Sequence, residues 1–308
     1  MSTATPGTRP PEKISPSTVT AELVDGRPRL SLRNGTYLSP RPLPAKGNLA
    51  RITLMGVYAM LLGGDDVHVE IEVGPGVGLE IVEPSGIVAY HAQGLTQRWT
   101  VTAKVAESGF LVWRGAPFVV SAGANAQRRT TLDIAAGGCA LLSETIVLGR
   151  GYEDTAGPFQ SVNRVSHDGR PLLVEDLDLR DRRLSGAVGV MGTNRVMSTV
   201  MLLGKAPQQM VAACESPLHG PGALARAVAV HAHEAEDQVT DSWNRWRAEF
   251  ASPRRTAPAQ RFMTRERATS PQNSMTPERS MAPHRTASTH RAARSPSPQP
   301  APHIAASP

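Results

Sequence analysis

The chain has 308 residues, with 33 Lys and Arg against 27 Asp and Glu, for a formal charge of +6. Its two cysteines cannot staple a disulfide scaffold and have no zinc-ligand spacing. The longest apolar stretch, Ile52 to Leu62, is far short of the roughly 20 residues that span a bilayer, and the N-terminus lacks an apolar h-region. A soluble protein of a reducing, cytoplasmic compartment is expected, with no membrane partner.

The basic charge is unevenly placed. Residues 251–308 carry nine Arg, no Lys and only Glu266 and Glu278, so this segment alone is +7 and residues 1–250 are −1. The same segment holds ten of the 26 prolines. Such a composition cannot bury enough apolar surface to offset backbone entropy of about 1–2 kcal/mol per residue. Three regions follow: a disordered N-terminus over 1–18, a folded body over 19–250 and a disordered Arg/Pro/Ser-rich tail over 251–308.

Along the body, the pattern is mostly of period two. Val67, Val69, Ile71 and Val73 alternate with Asp66, His68, Glu70 and Glu72. Trp99, Val101, Ala103 and Val105 alternate with Thr100, Thr102 and Lys104, and Leu132 and Ile134 with Thr131 and Asp133. Turn signals divide the runs: Asn34-Gly35, Gly74-Pro75-Gly76, Pro84-Ser85-Gly86, Gly137-Gly138 and Asp168-Gly169. DGRP occurs twice, at 25–28 and 168–171, each time between apolar runs. The fold class is mainly β with many short strands; sandwich, barrel and β-helix are not separated by periodicity. A helix is marked where Ala232, Ala235, Val239, Trp243, Trp246 and Phe250 share one face. Arg245 and Arg247 suit its C-terminal dipole and Pro253 stops it. A second helix is expected within 194–203.

Three carboxylates stand out by phase. Glu175 shares parity with Leu173, Leu177 and Leu179, Glu144 with Leu142, Ile146 and Leu148, and Asp65 with the Val67–Val73 face. A side-chain period of two aims all three at the interior, where each needs an Arg, a backbone amide, water or a cation. His231 and His233 read as surface histidines, Cys139 as a small buried hydrophobe, and Trp243 with Trp246 as core contact or partner groove. Gly74 to Gly78 lacks the GK[ST] of a phosphate loop, and no HExxH or GxSxG is present.

The order of motifs goes further. Leu61-Leu-Gly-Gly-Asp65 followed by an alternating strand and a Pro-Gly turn, Glu83-Pro-Ser-Gly-Ile-Val-Ala-Tyr90, Glu144-Thr-Ile-Val-Leu-Gly-Arg150, Asp168-Gly-Arg-Pro-Leu-Leu-Val-Glu175 and Trp243-Asn-Arg-Trp246-Arg247 together resemble the urease accessory protein D family (UreD, also called UreH). The five elements span about residues 46–250. The stretch Ala156-Gly157-Pro158-Phe159 departs from the family's pattern, with Pro at an acidic position and Glu153 and Asp154 close by. The resemblance implies a β-helical body with one or two C-terminal helices and a role as a non-enzymatic maturation factor for urease. The implied partners are apo-urease, the helical accessory protein F and the GTPase accessory protein G. It also implies transient Ni²⁺ in transit through the interior, past Asp65, Glu175 and Glu144, with no permanently bound cofactor. Trp243, Trp246 and Arg247 are its candidate partner-binding residues.

Two other classes of function compete. The Arg-rich tail suits salt-sensitive binding of nucleic acid or another polyanion, though it lacks interleaved aromatics for base stacking. A β-helical carbohydrate-active enzyme would want paired acids in an open groove, which the interior phase of Glu144 and Glu175 opposes.

Overall fold

The computed structural model describes residues 14–251, apart from 182, 184 and 185. Residues 1–13 and 252–308, which hold most of both segments expected to be disordered, lie outside the described residues. The described residues form the strands β1 (Ser17–Val24), β2 (Arg27–Arg33), β3 (Leu38–Lys46), β4 (Leu49–Gly56), β5 (Asp66–Val73), β6 (Gly78–Val82), β7 (Ile87–Ala89), β8 (Gln97–Val105) and β9 (Phe110–Arg114). There follow β10 (Phe118–Val120), β11 (Ala126–Ile134), β12 (Cys139–Leu148), β13 (Phe159–His167), β14 (Arg170–Asp178), β15 (Val196–Leu203), β16 (Glu215–Pro217), β17 (Gly222–Ala229) and the helix α1 (Ala232–Ala251). Strand β1 begins at Ser17, two residues inside the N-terminal segment expected to be disordered.

The chain winds as stacked coils. β5, β8, β11 and β13 pair in parallel in one sheet. β4, β6, β9 and β12 do so in the other. The short β7 and β10 pair with each other, and β10 with the end of β12, which extends the second sheet. A parallel coil repeats its register, so one residue position forms a column through successive strands. This is the β-helical solution among those that periodicity left open.

The two edges of the first sheet are closed in the same way. β1 adds in parallel to β5 and turns back into β2, while β13 turns back into β14. Both turns are DGRP. Asp25 and Gly26 have φ of 51° and 72°, and Asp168 and Gly169 have 51° and 69°. Two consecutive left-handed residues make the two-residue turn whose twist matches antiparallel strands, and Asp-Gly tolerates it best.

In the second sheet β15 pairs antiparallel with β12, and β17 with β15. β15 replaces the helix expected within 194–203. All eight of its residues are buried, because one face fills the coil interior and the other lies beneath α1. A strand covered on both faces shows no alternation, so its apolar run does not reveal its period.

Helix α1 packs on the outer face of this sheet. Ala223, Ala225 and Ala227 let it approach closely, and Val239, Trp243 and Trp246 pack there with Val112, Leu141, Val200 and Leu202. Because the helix runs to Ala251, Arg245 and Arg247 sit before its last turn. They pair with Glu215 and Glu80 rather than with the C-terminal carbonyls.

Candidate functional site

The coil interior is apolar where β5 and β8 line it. Val67, Val69, Ile71, Val101 and Ala103 are all at most 3% exposed. The same columns turn polar in the next strands. Val69 and Val101 stand in register with Thr130, Asn163 and then Glu175, while Val67 and Trp99 stand in register with Arg128 and Ser161. The facing sheet matches this change. Glu144 is in register with Thr199, and Thr199 with Arg226.

These residues form one connected group. Arg128 donates through Nη1 to Oε2 of Glu144. Asn163 Nδ2 donates to Oε1 of Glu144 at 3.1 Å and to Oε2 of Glu175 at 3.4 Å. Arg226 forks onto Glu175, with Nη1–Oε1 at 2.6 Å and Nη2–Oε2 at 3.0 Å, and its Nε donates to Thr199 Oγ1 at 3.0 Å. Planar guanidinium on carboxylate in this two-pronged geometry is the strong form of the ion pair.

Glu83 completes the row. Register places Val82 and Ser143 opposite Arg114, so Glu83, Gly115 and Glu144 follow one step on. Trp113 Nε1 and the Ala116 amide donate to the Glu83 carboxylate at 2.9 and 2.8 Å. Burial pushes its pKa up, against the Ala116 amide, the nearby Arg128 charge and Trp113. A cavity of about 30 Å³ lies between Gly115, Arg128 and Glu144, room enough for a water. On its other side Glu83 lines a pocket of about 170 Å³ whose wall includes Met60, Ser85, Tyr90 and Trp99.

The structure therefore brings together Glu144 and Glu175 but not Asp65. Asp65 lies in the turn before β5, where its Oδ1 accepts from Tyr37 Oη and its Oδ2 from the Leu62 amide, both at 2.9 Å. Burial, this hydrogen bond and the Asp65 charge push the Tyr37 phenol up to about 12. Trp243 and Trp246 are 7% and 0% exposed and pack in the chain's own core. Arg247 donates to Glu80 Oε1 at 3.0 Å. Glu153, the acid near Pro158, accepts from the amides of Arg150 and Ala122 at 2.8 and 3.0 Å. His231 and His233 stack with their rings 5.8 Å apart. Among the described residues no three His, Cys, Asp or Glu side chains form a group that could hold a metal ion.

Arg128, Asn163 and Arg226 are not among the residues that the sequence marks, and Glu83 enters there only as the start of a motif. Arg128 shares parity with Leu132 and Ile134, and Asn163 with Phe159 and Val165, so extending each alternation by one or two steps finds both. Arg226 hides in a run of alanines whose small side chains belong to the helix contact.

A sequence profile described as UreD urease accessory protein matches residues 31–261. The chain belongs to the UreD family. A protein named urease accessory protein UreD 1 from Streptomyces griseus subsp. griseus is 39% identical over 246 residues, which are 79% of this chain and 96% of that protein. A urease accessory protein UreD from Frankia alni is 32% identical over 231 residues, covering 67% of this chain and 74% of its own. One from Cereibacter sphaeroides is 29% identical over 188 residues, covering 59% and 68%. The UreD profile takes in every element that contributes to the polar group. Among the described residues no helix is long and apolar enough to cross a membrane.

Proposed function

We propose that this UreD-family chain is a non-enzymatic maturation factor that conveys Ni²⁺ through its interior to apo-urease. It would do so in the cytoplasm, docked on apo-urease together with the helical F and GTPase G accessory proteins. Nucleotide chemistry then belongs to the G partner. The observation that carries this reading is the polar belt of Glu83, Glu144 and Glu175 beside columns that are apolar along β5 and β8. Carboxylate oxygens are hard to borderline ligands, suited to a hexaaqua-type ion that must be bound weakly enough to leave. The 170 Å³ pocket beside Glu83 gives the ion a place to approach.

The test replaces both inner acids by isosteres, Glu144→Gln with Glu175→Gln. Nickel-dependent activation of apo-urease with the F and G proteins should fall at least tenfold, while pull-down of the complex is unchanged. Full activation by the double variant overturns the passage. Loss of the complex assigns the acids to structure.

A further inference from the structure

Arg128 stands where a transferred cation would have to stand. It is rooted on β11 in one sheet and reaches across the interior to Glu144 on β12 in the other. The row position between Glu83 and Glu144 is Gly115, which lines the cavity beside Arg128. A Cβ there would lie 2.9 Å from the Ser143 carbonyl oxygen and 3.9 Å from Glu83 Oε2. Any larger side chain would fill the space.

Only part of the Arg128 guanidinium is paired within the chain. Its Nε is buried without a hydrogen-bond partner, and so is the hydroxyl of Ser161, its register neighbour, which is 2% exposed. Buried polar groups left unpaired favour an alternative arrangement that satisfies them. The 30 Å³ cavity lies against the same side chain. Beyond Gly115, Glu83 takes hydrogen bonds from Trp113 and the Ala116 amide, with the Arg128 charge nearby.

Charge sets the guanidinium and a metal ion in competition for Glu144. Glu144 and Glu175 are already balanced by Arg128 and Arg226. A divalent ion added beside a seated Arg128 leaves positive charge in excess over these pairs in a low-dielectric interior, which is unfavourable. We propose that Arg128 is a built-in counter-cation that closes the interior between Glu83 and Glu144, and that a divalent cation in transit contacts Glu144 only when the guanidinium leaves it. The proposal rests on the reading that nickel crosses the interior, and it adds that the isolated chain is shut. Arg128 is a positioning residue: it does not ligate the ion but decides when Glu144 is free to do so.

Titration of the full chain with Ni²⁺ alone tests this by calorimetry, alongside thermal melting with and without the metal. Arg128→Met should gain one site at least tenfold tighter than anything in the parent chain, and added nickel should raise its melting temperature. Arg128→Met with Glu144→Gln should lose the gain and melt near the parent, because the pair has been neutralised together. An Arg128→Met chain that folds without gaining the site overturns the proposal. So does one that stays unfolded in nickel, since the metal should then replace the guanidinium, and so does a gain that survives Glu144→Gln. None of these readouts involves urease. A gained site beside a fully active Glu144→Gln, Glu175→Gln chain would keep the counter-cation and discard the passage, and the opposite pair of results would do the reverse.

Discussion

Two stretches of the same solenoid wall share a backbone and differ in what they enclose. Along one column β5 and β8 present Val69 and Val101, and β11, β13 and β14 continue it with Thr130, Asn163 and Glu175. Parallel register fixes which side chains face inward, not their polarity. The apolar stretch follows the usual logic of burial. The polar stretch does not, because a buried ion pair is commonly no more stabilising than apolar residues of the same volume. Stability alone therefore gives no account of Arg128, Glu144 and Asn163, and the difference between the two stretches is the strongest structural argument for a site.

The comparison breaks most visibly under paired substitution. Glu144→Ala leaves Arg128 buried without its counter-ion and should cost about 3–5 kcal/mol in urea unfolding. Adding Arg128→Met should return a large part of that loss. In the apolar stretch, Ile71→Ala should cost about 2–5 kcal/mol through its cavity. Adding Val101→Ala should deepen the loss, with no recovery. If both cycles behave alike, the two stretches are energetically the same kind of core.

Much of this contrast was legible beforehand. Period two placed Glu144 and Glu175 on the inside, and the two DGRP sequences marked the turns that close both edges of the first sheet. Asp65 shared the right parity but precedes its strand, and phase has no meaning in a turn. The pairing of Glu144 with Glu175 was beyond reach, since Asn163 joins them only once β12, β13 and β14 have been assembled. Strand β15 shows no strand period in the sequence because burial on both faces erases the alternation. Trp243 and Trp246 lay on one helical face as expected, and only the alanine row of β17 shows that the chain itself covers them.

A smaller effect separates the two ion pairs within the polar stretch. Side chains of Arg128 and Glu144 are 16% and 7% exposed, against 30% and 20% for Arg226 and Glu175. Solvent should screen the second pair more. Arg226→Ala should cost about 1 kcal/mol, falling as NaCl is raised, while the cost of Glu144→Ala should barely respond to salt. Equal salt dependence would mean that water reaches both pairs equally.

The smallest effect is the most local. Glu80 and Glu83 lie three residues apart and are shifted in opposite directions. Burial raises the pKa of Glu80, but hydrogen bonds and charge from Arg51 and Arg247 outweigh it and hold the carboxyl below its ordinary 4.5. For Glu83 burial wins and the shift is upward from 4.5. The linkage signs follow. The Glu80 contribution is present above pH 4.5 and is lost as pH falls through the depressed value. That of Glu83 is complete below pH 4.5 and is lost as pH rises through the elevated value. Melting temperatures from pH 3 to 8 should therefore bring Glu80→Gln closer to the parent on acidification, while Glu83→Gln gains on the parent as pH rises from 4.5. Parallel profiles for the two variants would mean that Glu83 is solvated like its neighbour, and the polar stretch would then begin only at Glu144.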